Sequence, residues 1–116
     1  MEREFDEAGL YLLGQHYGMF SGSVQFDTSG QVDCIDIDPQ DGHKSLRLDF
    51  DELVRERAAI QKRLDWQPMP LCELLHREAS FFKKWMLLQG LRNTLEERFA
   101  EDIEDYIDGQ SIRETV

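Results

Sequence analysis

The chain has 116 residues, of which 41% are hydrophobic and 32% charged, and its net charge is −11. That length suits one domain, residues 1–116, and seven Phe, three Tyr and two Trp give it a core that needs no disulfide or metal staple. The charge argues against direct nucleic-acid binding, because affinity for phosphate comes from clustered Lys and Arg.

The layout of the charge says more than its total. Residues 1–41 hold nine acids and one base, residues 42–92 seven acids and ten bases, and residues 93–116 eight acids and two bases. Acidity therefore sits at the two ends of the chain, around a mildly basic middle. The opening Met-Glu-Arg-Glu-Phe-Asp-Glu has neither the basic start nor the apolar run of a secretory signal. The longest mostly apolar stretch, Phe81 to Leu91, is broken by Lys83, Lys84 and Gln89 and is too short to span a bilayer. The expectation is a cytoplasmic protein with no membrane partner, and with Cys34 and Cys72 as free, buried thiols.

Taken in chain order, Phe5, Ala8, Leu12 and Leu13 recur at helical spacing and predict a short helix over residues 3–14. Gly9 and Gly14 weaken it, and Gly-Leu-Tyr-Leu-Leu would serve as a strand instead. From Tyr17 the period becomes two. Phe20, Val24 and Phe26 share one face, with Gly18 and Gly22 marking a bulge or a close backbone approach. Thr28-Ser29-Gly30 is turn chemistry, and Ile35 and Ile37 then alternate with acids. Asp38-Pro39-Gln40-Asp41-Gly42 forms a second turn, after which Leu46, Leu48 and Phe50 alternate inward. Three strands with two short turns make an antiparallel meander.

At Asp49 the period changes to 3.6. Asp49 or Asp51 can cap the helix, with Glu52 in capping-box position behind Asp49. Leu53, Arg57, Ile60 and Leu64 form one row of it, and Trp66-Gln67-Pro68-Met69-Pro70 ends it. Pro70 suits the start of a second helix. Its half from Phe81 to Leu88 is apolar almost all round, which predicts either a central helix or a face left for a partner. Gly90 and Asn93 predict a break, with Asn93 capping a third helix on which Leu95, Phe99, Ile103 and Tyr106 point inward. Residues 109–116 read as a frayed tail. The expected fold is thus α+β: a three-stranded antiparallel meander over about residues 17–50, then helices near 51–65, 70–90 and 94–108.

Chemistry-bearing motifs are few. Asp33, Asp36, Asp38, Asp41 and Gly42 suggest a calcium loop, but counting from Asp36 puts Gln40, Asp41 and Arg47 where an EF-hand needs an oxygen ligand, glycine and glutamate. Cys72 and His76 have zinc-compatible i, i+4 spacing, yet two ligands make no site, and His16 and His43 bear no relation to them. No Gly-x-Ser-x-Gly turn and no phosphate-cradling glycine loop occurs. The expectation is therefore a non-enzyme without cofactor or metal.

Two surfaces remain. Glu97, Glu101, Asp102, Glu104, Asp105 and Asp108, beside Glu96, make an acidic outer face opposed only by Arg98, and such clustering suits a basic partner. The apolar alternative is Phe81, Trp85 and Leu88, a docking face or homodimer seam with Trp85 as anchor. Size, acidity and the lack of a catalytic motif resemble, in outline, immunity proteins against nuclease toxins and phage antagonists of host nucleases. That resemblance implies an inhibitor covering a basic, nucleic-acid-binding surface of another protein. The element order also resembles small acidic secretion chaperones, in which further strands follow the second helix. Here two helical segments follow, and this second likeness implies an oligomeric chaperone or adaptor.

Overall fold

A computed structural model describes the backbone of residues 1–39 and 44–114, and the side chains of all of these up to residue 109. One antiparallel sheet comes first: β1 (Glu2–Leu12), β2 (Gln15–Phe26), β3 (Val32–Ile37) and β4 (Leu46–Asp49), in the order β1-β2-β3-β4. Four helices follow: α1 (Phe50–Trp66), α2 (Leu71–Arg77), α3 (Ala79–Arg98) and α4 (Ala100–Glu114). The fold is α+β, with strands before helices.

The segment expected as a short helix is the first strand, and a bulge explains the misleading spacing. Phe5 pairs with Gly22 and Ala8 with Phe20, so β1 advances three residues while β2 advances two. The extra residue carries Glu7 to φ +50. Inward positions therefore run 5, 8, 10, 12, and the single three-residue step imitates a helical period. Leu13, expected inward, is fully exposed. It occupies the two-residue turn to β2 with Gly14, at φ +53 and +78, and positive φ at both places is the requirement of a type I′ turn. A leucine costs about 1–2 kcal/mol in the left-handed region. A second shift, between Gly9 and Tyr11, adds a residue to β2 instead.

Apart from one further register shift between Gln25 and Phe26, which leaves both Cys34 and Ile35 buried, the rest of the meander follows the alternation. Val24, Ile35 and Leu48 are neighbours across β2, β3 and β4 and are wholly buried, with Phe26 and Ile37 beside them. At Gly22 an added Cβ would collide with the Asp36 carbonyl oxygen of β3, the close approach that its sequence position suggested. The β2–β3 turn is tied by Asp27, whose Oδ1 accepts from the Ser29 amide (2.9 Å), the Ser29 hydroxyl (2.6 Å) and the Gln31 amide (3.0 Å). These bonds outweigh the effect of partial burial and hold the Asp27 carboxyl below its ordinary pKa. Of the turn expected at Asp38–Gly42, residues 40–42 lie outside the described residues.

Asp49 caps α1, its Oδ1 accepting the Glu52 amide at 3.0 Å. Leu53 and Ile60 face the core, whereas Arg57 leaves their row to lie over the Trp85 ring at 5.5 Å. Downstream the helix boundaries differ from the expected ones. The break foreseen at Gly90–Asn93 is absent. Gly90 has no side chain because α3 presses there on β1, where a Cβ would meet the Leu10 and Leu12 side chains. Asn93 is exposed mid-helix and caps nothing. The interruptions fall at Glu78 and Phe99 instead. Each keeps its i→i−4 bonds (Glu78 to Leu74 and Phe82 to Glu78; Phe99 to Leu95 and Ile103 to Phe99), so they are bends rather than loops. No glycine or proline marks them. The tail expected to fray at 109 continues as α4 to Glu114.

Cys34 is buried in β3 and Cys72 is exposed on α2; both are free. The expectation of two buried thiols is thus half corrected. Burial, followed by the nearby carboxylates, pushes the Cys34 thiol up to about 11 against the pull of Arg47, so it stays protonated at neutral pH.

Candidate functional site

α4 is attached at the end of the sheet where β2 turns into β3. Phe99, at the bend, meets Phe26 edge-on at 6.0 Å. Ile103 and Ile107 lie on Gly30, where a Cβ would find their side chains. That apolar seat leaves the opposite side of the helix to solvent, and Glu101, Glu104, Asp105 and Asp108 occupy it, continued across the bend by Glu97.

The basic side chains of this end are each engaged by a partner within the fold. Arg98, the only cation between residues 94 and 108, donates to the Asp6 carbonyl (2.6 Å) and the Glu7 carbonyl (3.1 Å) of the β1 bulge. Arg92 Nε donates to Glu96 Oε1 at 3.2 Å, and the same oxygen accepts the Val32 amide at 3.4 Å. Arg3 Nε binds Asp102 Oδ2 at 3.3 Å. Glu96 and Asp102 are thereby drawn into contacts within the fold. Glu97, Glu101, Glu104, Asp105 and Asp108 make no ion pair among the described residues. Within α4, Glu101, Glu104, Asp105 and Asp108 stand three and four residues apart. Such like-charge neighbours cost about 0.2–0.5 kcal/mol each, or roughly 1–2 kcal/mol for the stripe. These acids incur no penalty from the helix dipole, since the helix continues to Glu114 and Glu101 and Asp102 lie in its favourable first turn.

The apolar alternative fares differently. Phe81 and Leu88 are buried in the core. Trp85 is half-buried and stacked between Phe50 (6.5 Å) and Phe81 (5.8 Å). This stretch is a central helix, and its apolar residues hold the fold together. No metal cluster is assembled among the described residues, where no group of three or more His, Cys, Asp or Glu side chains converges. No helix there is long and apolar enough to cross a membrane.

Two features escaped the sequence reading. One is the exposed tip of the β1–β2 hairpin. The other is a cleft of about 750 Å³ between the end of α1 and α2, lined by Leu64, Trp66, Met69 and Leu74 with Lys62 and Arg77. The signal available for the first was the absence of any Asp, Glu, Lys or Arg from Ala8 to Gln25. Nothing local marked the second, because it forms where α2 folds back on α1. Comparison with family models, with curated proteins and with solved structures found no match.

Proposed function

We propose that the chain is a non-enzymatic, cytoplasmic binding protein that inhibits a partner by covering its basic, nucleic-acid-binding surface, the carboxylates of α4 standing where phosphates would. One observation carries this reading. Glu97, Glu101, Glu104, Asp105 and Asp108 form an exposed stripe, while the neighbouring cations are engaged elsewhere, Arg3 by Asp102, Arg92 by Glu96 and Arg98 by the Asp6 and Glu7 carbonyls. A solvated helix face gains nothing from such repulsion, whereas a basic partner relieves it and is steered to it. The exposed Glu2, Glu4 and Glu7 of β1, the strand that Arg3 ties to Asp102 of α4, add charge of the same sign.

The immobilised protein should capture basic, nucleic-acid-binding proteins, identified by mass spectrometry. Heparin should displace them, and so should salt raised to about 1 M, where the Debye length falls to about 3 Å. A captured nuclease should lose nucleic-acid binding while held. Failure to enrich basic proteins, or retention unaffected by salt and heparin, would refute the reading.

A further inference from the structure

We propose that two copies of this chain pair reciprocally, the β1–β2 hairpin tip of each entering the α1–α2 cleft of the other. This inference is independent of the acidic-face reading, since it uses the part of the molecule remote from α4.

The hairpin tip is an apolar knob. Leu13 is fully exposed, and Tyr11 and Tyr17 beside it are 53% and 56% exposed. Leu13 also sits at φ +53, where Asn, Asp or Gly would be comfortable. Neither solvation nor backbone preference accounts for a leucine there, and strained residues of this kind persist where they do something. The cleft is the matching hollow. Trp66 is 82% exposed at its edge, and Leu64, Met69 and Leu74 line it.

Charge points to a second copy as the occupant. A net charge of −11 makes copies repel over most of their surface. The hairpin, uncharged from Ala8 to Gln25, is exempt from that repulsion. The cleft reverses its sign, with Lys62, Arg63 and Arg77 against Glu78. Copies can bring these two surfaces together without opposing acids.

Position allows both contacts at once. The hairpin lies on α3 at Gly90, and Glu78, just before α3, lines the cleft. At about 1.5 Å rise per residue these points are about 18 Å apart along one helix. Knob and hollow thus both adjoin the part of α3 before Gly90, and the proposed pair has its two-fold axis beside that part.

Sedimentation velocity of the full chain, from about 1 to 200 μM, tests the pairing. The wild type should pass from monomer to dimer, and added salt should strengthen the dimer by screening self-repulsion, the opposite of its effect on an acidic-face partner. Leu13→Asn suits the turn better than leucine, so it should keep or raise the melting temperature while abolishing the dimer. Trp66→Ala, at an exposed position, should do likewise. Mixing the two variants should restore a weaker heterodimer, because one intact tip then meets one intact cleft. A wild type that is monomeric throughout, a Leu13→Asn dimer, or a tip that binds neutral lipid vesicles or a different protein instead would overturn the proposal.

Discussion

The guanidinium of Arg98 grips the β1 bulge at Glu7, donating to the Glu7 carbonyl at 3.1 Å and to the adjacent Asp6 carbonyl at 2.6 Å. The bulge is held from its other side by Ser21, whose Oγ accepts the Glu7 amide (3.1 Å) and donates to Asp6 Oδ1 (2.6 Å). Two consequences follow from this one clamp. It fixes the register of β1, and it engages the one cation of residues 94–108 away from the acidic face of α4.

Arg98→Met should therefore destabilise the fold by about 1 kcal/mol, near the low end for charge-assisted hydrogen bonds because the site is solvent-exposed. Arg98→Lys should recover less than half, since an ammonium cannot fork between two carbonyls in the same way. Urea denaturation measures both. An unchanged midpoint for Arg98→Met would show that the bulge holds without the clamp.

Gly22→Ala places a methyl group against the Asp36 carbonyl at the centre of the sheet. Backbone cannot yield as a side-chain end can, so a loss of about 1–3 kcal/mol is expected. Wild-type stability in thermal unfolding would mean that β2 and β3 lie further apart than described.

Asp33 has a raised pKa, through burial first and then through the charges of Asp51, Asp49 and Asp27. Its folded value lies above the unfolded 3.8, so the folded state holds this proton more tightly. The stabilising contribution is complete below 3.8 and is lost as pH rises through the folded pKa. At neutral pH the ionised carboxylate works against folding. Asp33→Asn should raise the melting temperature at pH 7, and the gain should vanish as pH falls below 3.8. A destabilised variant at pH 7 would contradict this.

What the sequence disclosed about the fold depended on whether the deciding interaction was local. The Gly30 turn, the Asp49 cap and the alternation through Val24, Ile35 and Leu48 are written in short stretches, and the structure has them as read. The β1 strand was hidden by one inserted residue at Glu7, whose bulge depends on the distant Ser21 and Arg98. The continuity of α3 through Gly90 depends on contact with β1. The acidic residues of α4 were legible by count. Glu96 has a local partner in Arg92, one turn earlier on α3, but its bond to Val32 and the Asp102 bond to Arg3 join distant parts of the chain, so the two could not be sorted from the exposed five by sequence.

The acidic stripe itself is tested most directly by removing its charge while keeping its shape. A variant combining Glu97→Gln, Glu101→Gln, Asp105→Asn and Asp108→Asn should fold at least as stably as wild type, because like-charge neighbours have been relieved. Its capture of a basic partner, measured by titration at about 0.1 M salt, should weaken at least about tenfold, equivalent to about 1.4 kcal/mol. Undiminished capture by the folded variant would contradict the assignment of this face as the binding surface.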